Sequence, residues 1–453
     1  MFSIDEIIQA TNGQLVQGRR TDKLAGISTD SRRLKANQGF LALRGKNFNG
    51  HDFISQALKL KARCLIVEKI PKLSVSRLVA VIKVKNTTLA LGDLARFQRQ
   101  KINLPVIAVT GSNGKTTAKE MIAWVLSADE RVLKNEGTKN NQIGLPQTLV
   151  SLTRKDKFAV VEIGTNHFGE VDYLAKIARP NIGVITNVGP SHLEFLKDLK
   201  GVAQEKGALL DSLEAPAIAL LNADDKAFNS LTRRLIKGQR YFSFGINKKS
   251  DFCASEIKLK NAGIEFKVNS KFNFRLSTLG KHNIYNALVS IAIGRIFGLS
   301  YLAMRARLAK FKFPQGRLNF IKFKGLRFID DTYNSNPFSL NAALLTLGQA
   351  DCKGRRILVM GDMLELGKQK ELLHRQIAWS ITNTCDRLIT VGRLARITAN
   401  AVRKSGFPAK HIFCCANALA AKDLLFKKIL PQIDDLILVK GSRSMKMEKV
   451  LGA

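Results

Sequence analysis

The segment Thr110-Gly111-Ser112-Asn113-Gly114-Lys115-Thr116-Thr117 has the residue types that hold a nucleotide's phosphates. Glycines let successive backbone N–H groups approach phosphate oxygens, a following helix N-terminus favours negative charge, a lysine reaches the β and γ phosphates, and a neighbouring hydroxyl coordinates Mg²⁺. Those roles fall to Gly111, Ser112, Asn113, Gly114, Lys115, Thr116 and Thr117 as an ATP-binding loop, with Thr116 as a metal ligand. The usual spacing puts a first glycine at position 109, where this chain has Val109, so the loop is a shortened variant. Glu162 ends the apolar run Ala159-Val160-Val161, which brings its carboxylate to a sheet edge where phosphate-bound magnesium needs oxygen ligands. His192 follows Val184-Ile185-Thr186 and the turn Asn187-Val188-Gly189-Pro190, a path that can carry its imidazole to the same edge.

The elements that must position these groups are legible as alternating patterns. Val106-Ile107-Ala108-Val109 reads as a strand entering the loop, and a helical pattern leaves it from about Thr116 to Leu126. Apolar strands follow at Phe158 to Ile163, Ile182 to Thr186 and Ala217 to Leu221, with helical stretches between them, which predicts a largely parallel sheet flanked by helices. Before this unit, residues 1–100 mix short apolar segments such as Phe40-Leu41-Ala42-Leu43 and Cys64-Leu65-Ile66-Val67 with helical patterns, reading as a small α/β domain. After Phe313-Pro314-Gln315-Gly316 come strands at Arg356 to Met360, Arg387 to Val391, His411 to Cys415 and Leu436 to Val439, an open Rossmann-like sheet. The expectation is an α/β protein of three domains at 1–100, 101–314 and 315–453, the middle one a P-loop parallel-sheet ATPase unit.

Composition agrees with a folded chain. Of 453 residues, 45% are hydrophobic and 24% charged, neither disordered nor fibrous. Ser3 and Glu6 have capping-box spacing for a helix start, where a signal peptide would need a basic region and an apolar core. No apolar run has the length to span a bilayer, so the chain is expected in the cytoplasm without membrane insertion. The six cysteines lack paired metal-site spacing and are too sparse for a disulfide scaffold. A net charge of +37 raises a nucleic-acid-bound P-loop motor as an alternative. The lysines and arginines are scattered, with no basic tail, which favours a solvated basic surface and no nucleic-acid partner.

Taken together, Gly-Ser-Asn-Gly-Lys-Thr-Thr at 111 to 117, Glu162, Thr186-Asn187-Val188-Gly189 with His192, and Lys206 resemble the Mur ligases and their folylpolyglutamate synthetase relatives. Leu279-Gly280-Lys281-His282-Asn283 with Asn286, Gly316-Arg317, and Asp330-Asp331-Thr332-Tyr333-Asn334-Ser335-Asn336-Pro337 look like that family's further ATP-binding elements, and the likeness spans essentially the whole chain. Within the family, three features favour the member that adds D-alanyl-D-alanine. Ser28-Thr29-Asp30-Ser31-Arg32, followed by Gly50-His51-Asp52-Phe53, resembles the segment that holds a UDP-linked substrate. Gly361-Asp362-Met363-Leu364-Glu365-Leu366-Gly367 stands in the third domain, and the Asp-Asn-Pro-Arg sequence of the diaminopimelate-adding relative is absent. Asn140-Asn141 also looks like a family substrate segment.

The resemblance implies an ATP- and Mg²⁺-dependent ligase, monomeric, whose partners are UDP-N-acetylmuramoyl-tripeptide and D-alanyl-D-alanine. It implies catalytic roles for Lys115, Glu162, His192 and Lys206, with Thr116, Glu162, His192 and a carbamylated Lys206 around metal. Asn283, Asn286, Arg317, Asp331, Tyr333 and Asn334 would join the loop in binding ATP. Ser28, Thr29, Asp30, Ser31, Arg32, Asn140, Asn141 and Asp362 would contact substrate. Each has a plainer alternative: isolated lysines and arginines such as Lys206, Arg32 and Arg317 are usually solvated, asparagines make turns or brace helices, and Asp362 stands where a helix N-cap would. One departure is Ala208, where members of the D-alanyl-D-alanine-adding type commonly have Glu.

Overall fold

A computed structural model of the protein describes residues 2–45, 48–128, 130–260 and 263–452. It is an α/β protein in three domains, each built on its own sheet. The first sheet has five strands in the order Gln14–Gln17, Ala80–Lys83, Cys64–Val67, Gly39–Leu41, Ile27–Ser28, all parallel except the first. The chain enters it through a helix, Ile4–Thr11, whose capping box is formed: Glu6 N donates to Ser3 Oγ at 3.1 Å and Ser3 N to Glu6 Oε2 at 3.0 Å.

The helix Thr87–Lys101 ties this domain to the next. Asn86 caps it through Oδ1, and its inward Leu91, Leu94 and Ala95 share one apolar core with Val106, Ala108 and Leu145 of the central domain. A boundary drawn at residue 100 falls in the last turn of this helix.

The central sheet has nine strands, in the order Val132–Lys134, Phe158–Glu162, Val106–Thr110, Ile182–Ile185, Ala217–Asn222, Gln239–Gly245, Phe252–Lys260, Gly263–Val268, Phe272–Leu276. The first seven are parallel and the last two return antiparallel. After Val106–Thr110 the chain goes to the edge strand Val132–Lys134, returns inward to Phe158–Glu162 and then crosses to the other side, so Val106–Thr110 sits at the point where the strand order reverses, where crevices form beyond carboxyl ends. Register sets Glu162 opposite Val109 and Ile185 opposite Thr110, placing three loop origins side by side.

The third sheet runs Asn319–Phe323, Leu326–Asp331, Leu436–Lys440, Arg356–Gly361, Arg387–Val391, Ile412–Cys415, with only the first strand antiparallel. Asp331 and Lys440 end adjacent strands in register. Among the described residues no helix is long and apolar enough to cross a membrane.

Candidate active site

Val106–Thr110 is buried throughout, and its carboxyl end delivers the glycine loop to the helix Lys115–Leu126. Two glycines there are sterically required. Gly111 has φ +145°, and a Cβ on it would lie 2.0 Å from Thr186 Oγ1; Gly114 has φ +82°, and a Cβ would lie 2.7 Å from Asn286 Oδ1. The second contact also shows that Asn286, bonded through Nδ2 to Asn283 Oδ1 at 3.0 Å, closes over the loop from the helix Asn283–Ile296.

The loop is braced by the turn that follows Ile182–Ile185. Ser112 N donates to Asn187 O at 3.0 Å, Asn113 N to Asn187 Oδ1 at 3.0 Å, and Thr186 Oγ1 to Asn113 O at 2.6 Å. Ser112 Oγ donates to Gly189 O at 2.8 Å and receives Ser191 Oγ at 2.9 Å. These bonds satisfy and brace the loop's backbone from the neighbouring turn.

Lys115 Nζ donates to Gly111 O at 2.8 Å. Burial holds its pKa below the ordinary lysine value; Glu162 opposes that shift and Arg317 adds to it. Thr116 Oγ1 donates to Glu162 Oε2 at 2.8 Å, while Asn140 Nδ2 donates to Glu162 Oε1 at 2.7 Å. The backbone of Glu162 is clamped by Asn135, whose Oδ1 accepts from Glu162 N at 2.9 Å. A hydroxyl and a carboxylate this close suit a hard cation that takes its remaining oxygens from phosphate and water. Among the described residues no cluster of three or more His, Cys, Asp or Glu is placed to hold a metal ion.

The third domain reaches the same point. Arg317 Nη2 donates to Thr116 Oγ1 at 3.2 Å, and its guanidinium carbon lies 3.8 Å from the centre of the Tyr333 ring. Asn336 Nδ2 donates to Asn113 Oδ1 at 2.9 Å. Asp331 accepts Leu318 N at 3.1 Å and Lys440 Nζ at 2.6 Å, and Lys440 also holds Asn334 O at 2.8 Å. The buried pair Asp331–Lys440 thus fixes the Tyr333-Asn334 turn.

His192 has a left-handed backbone, φ +53°, at the start of the short helix Leu193–Leu196. Its Nδ1 lies 2.7 Å from Glu365 Oε2 of the third domain, close but without the alignment of a hydrogen bond. Burial lowers its pKa, against the raising effect of Glu365, and the positive charges of Lys115 and Lys206 add to the fall. Lys206 is fully buried on the helix Leu199–Asp211, and burial, followed by repulsion from Lys115, drives its pKa well down. The charge of its neighbour Glu205, which is bonded to Thr165 Oγ1, Gly169 N and Val171 N, opposes that fall without cancelling it.

These groups border a cleft of about 2650 Å³ between the central and third domains. Of the residues singled out in the sequence, Ser112 to Lys115, Thr117, Asn140, Asn141, Glu162, His192, Asn283, Asn286, Arg317, Asp331, Tyr333 and Asn334 line it. Gly111, Thr116 and Lys206 do not, although Thr116 bonds to two residues that do. Asn141 makes a turn, its Oδ1 accepting Ile143 N and Gly144 N.

The Ser28–Arg32 segment also lies outside the cleft lining. Asp30 binds Arg32 through both carboxylate oxygens, Ser31 Oγ donates to Gln56 Oε1 at 2.8 Å, Ser28 Oγ donates to Asp30 O at 3.0 Å, and Thr29 Oγ1 meets Gln147 of the central domain. Asp362 lies outside it as well: its Oδ1 accepts Ala395 N at 2.7 Å and caps the helix Arg393–Lys404, which begins far downstream of it.

Sequence reading missed four contributors. Lys440 ends the apolar run Leu436–Val439 as Glu162 ends its own, so the same signal marks it. Glu365 stood inside a quoted motif without being singled out. Asn336 likewise stood inside the quoted Asp330–Pro337 segment, whereas Asn135 carries no local signal, since its partner Glu162 lies in another element.

Three family models match the chain: "Mur ligase family, catalytic domain" over 23–99, "Mur ligase middle domain" over 109–294 and "Mur ligase, glutamate ligase domain" over 316–443. A UDP-N-acetylmuramoyl-tripeptide–D-alanyl-D-alanine ligase of Escherichia coli K12 is 35% identical, covering 100% of this chain and 98% of its own. Its Bacillus subtilis 168 namesake is 34% identical over 94% and 92%. Among solved structures, MurF from Acinetobacter baumannii superposes with a TM-score of 0.90 at 31% identity over 100% and 98% of the two chains. MurF from Thermotoga maritima in complex with ADP gives 0.81 at 26% over 94% and 96%. On these matches the chain belongs to the Mur ligase family.

Proposed function

We propose that this chain is the ATP-dependent ligase that adds D-alanyl-D-alanine to UDP-N-acetylmuramoyl-tripeptide, giving the pentapeptide precursor of peptidoglycan, as a cytoplasmic monomer. The observation that carries the reading is the convergence on Thr116. The phosphate loop, the Glu162 carboxylate and an arginine from another domain meet at one hydroxyl, beside a cleft large enough for a nucleotide and a peptide together. The names borne by relatives at 34–35% identity supply the substrates.

A carboxylate is a poor electrophile with no good leaving group, so amide formation in water needs activation. The precursor's terminal carboxylate attacks the γ phosphorus of ATP, releasing ADP and forming an acyl phosphate. The free amine of D-alanyl-D-alanine, having lost its proton, then attacks the acyl carbon, and the tetrahedral intermediate expels phosphate. Lys115 and Arg317 bring positive charge to the transferring phosphoryl group. Thr116 and Glu162 would hold one Mg²⁺, and His192 with a carbamylated Lys206 a second; the ions would supply charge neutralisation and orient the phosphate oxygens. Burial and the nearby charge of Lys115 favour the neutral form of the Lys206 amine, the form nucleophilic toward CO₂ that carbamylation uses.

Asn283, Asn286, Asp331, Tyr333 and Asn334 hold the nucleotide from above the loop and across the cleft. Ser28 to Arg32 hold the UDP portion, and Asn140, Asn141 and Asp362 contact substrate. Domains at 1–100, 101–314 and 315–453 divide these tasks. The direct test is phosphate release from ATP by purified protein given UDP-N-acetylmuramoyl-tripeptide, with and without D-alanyl-D-alanine. Release that needs both, with the extended nucleotide seen by mass spectrometry, is expected. Release stimulated by RNA or DNA instead would overturn the reading.

A further inference from the structure

Glu365 belongs to the third domain but makes two contacts with the central one. Its Oε2 lies 2.7 Å from His192 Nδ1, and its carbonyl accepts a hydrogen bond from Glu194 N at 3.2 Å. Both members of the side-chain contact hold left-handed backbones, φ +61° at Glu365 and +53° at His192. For a residue with a Cβ this region costs roughly 1–2 kcal/mol, and it persists where surrounding structure enforces it. Close packing does so here. A Cβ on Gly367 would meet the Glu194 backbone at 3.0 Å, and beneath the contact Leu193, Leu196 and Val202 pack together with Leu373 against them.

We infer that Glu365 is a positioning residue of the ligase site: supplied by the third domain, it makes His192 a competent metal ligand only while the domains are docked. The inference rests on the metal role proposed for His192. The 2.7 Å approach sets a carboxylate, which only accepts, against Nδ1; a small turn of the ring aligns an Nδ1–H on it and leaves the Nε2 lone pair for a cation. Without that partner the ring is free to turn or exchange tautomers. Thr116 and Glu162 both belong to the central domain, so the first metal position does not depend on Glu365. The second is complete only in the docked molecule, and filling it reports docking.

The test is Mn²⁺ uptake by the full-length protein with a non-hydrolysable ATP analogue, followed by electron paramagnetic resonance. Wild type, Glu365→Ala, Glu365→Asp and His192→Ala are compared, with X-ray scattering on each. Wild type should take two ions. Glu365→Ala should keep the tighter one and bind the other about 10- to 100-fold more weakly. Its scattering profile should be unchanged, because the carbonyl contact and Gly367 are untouched. Glu365→Asp should recover part of the loss, and kcat should fall more than KM for ATP rises. Equal weakening of both ions, lost compaction, or uptake like wild type in Glu365→Ala would overturn the inference alone. A wild type that binds one ion, with His192→Ala unchanged, would remove the metal reading of His192 and the inference with it.

Discussion

At the scale of single residues, the site is a set of charges made tolerable by exact partners. Glu162 is buried, and each carboxylate oxygen has a protein donor, Thr116 or Asn140. Glu162→Gln preserves shape but removes the charge that a cation needs. Phosphate release by this variant should fall at least about 100-fold, with the circular dichroism spectrum unchanged. Lys206 is the opposite case, an amine whose charge is disfavoured by burial and by Lys115. Supplied with ¹³C-bicarbonate, the protein should show a carbamate carbon signal by NMR that Lys206→Ala lacks; an identical spectrum from the variant would count against modification there. A third charge is structural. Asp435, almost fully buried, accepts from Arg355 N, Nε and Nη2 and from Gln432 N. Burial raises its pKa, but these bonds outweigh it and hold the carboxyl below its usual 3.8. A depressed acid stabilises the fold above its unfolded pKa and loses that contribution as pH falls through the folded value. Asp435→Asn should therefore be less stable by about 2 kcal/mol at pH 7, and the gap should narrow below about pH 4 in urea titrations.

At the scale of elements, strand ends and helix starts do the positioning. Glu162 and Lys440 both terminate apolar strands, and in each case the strand's carboxyl end carries the polar group to the cleft. Asp362 follows such a strand too, yet its carboxylate turns to cap Arg393–Lys404, packed so tightly that a Cβ on Gly392 would lie 2.5 Å from it. Asp362→Ala should lower stability by about 1 kcal/mol, seen as a fall in Tm, and Asp362→Asn should restore most of it. If Asp362 also contacts substrate, both variants should raise KM, since the charge is lost in each. The alternating runs read in the sequence became strands within a residue or two, from Val106–Thr110 to Leu436–Lys440. The antiparallel strands Gly263–Val268 and Phe272–Leu276 were not foreseen. They extend a sheet whose parallel order was already set, and one face is exposed at alternate residues such as Asn273 and Arg275, so they lack the continuous apolar run that marks a buried strand.

At the scale of the whole molecule, the third domain touches the phosphate loop through Arg317 and Asn336 and the His192 segment through Glu365. Those contacts, with small apolar patches at Leu373 and Leu279, are slight beside the shared apolar core that binds the first domain to the second, so the third domain is the one free to move. X-ray scattering should show compaction when ATP and precursor bind together, and no change in radius would argue against closure as the step that shields the acyl phosphate. The charge of +37 has a different consequence. A nucleotide-linked, carboxylate-bearing substrate approaches a strongly positive protein, so its KM should rise several-fold between 50 and 300 mM salt while kcat changes little.

The chain by itself determined the three-sheet plan, the phosphate loop, and a core set of the residues that line the cleft, because strand periodicity and loop chemistry are local properties written in consecutive residues. Only the tertiary structure decided which charges meet: that Arg317 reaches Thr116, that Lys440 secures Asp331, that Asp362 spends its carboxylate on a distant helix, and that Glu365 faces His192. These partners are up to 201 positions apart in the chain. Their pairing is set by how whole domains pack, which no window of sequence contains.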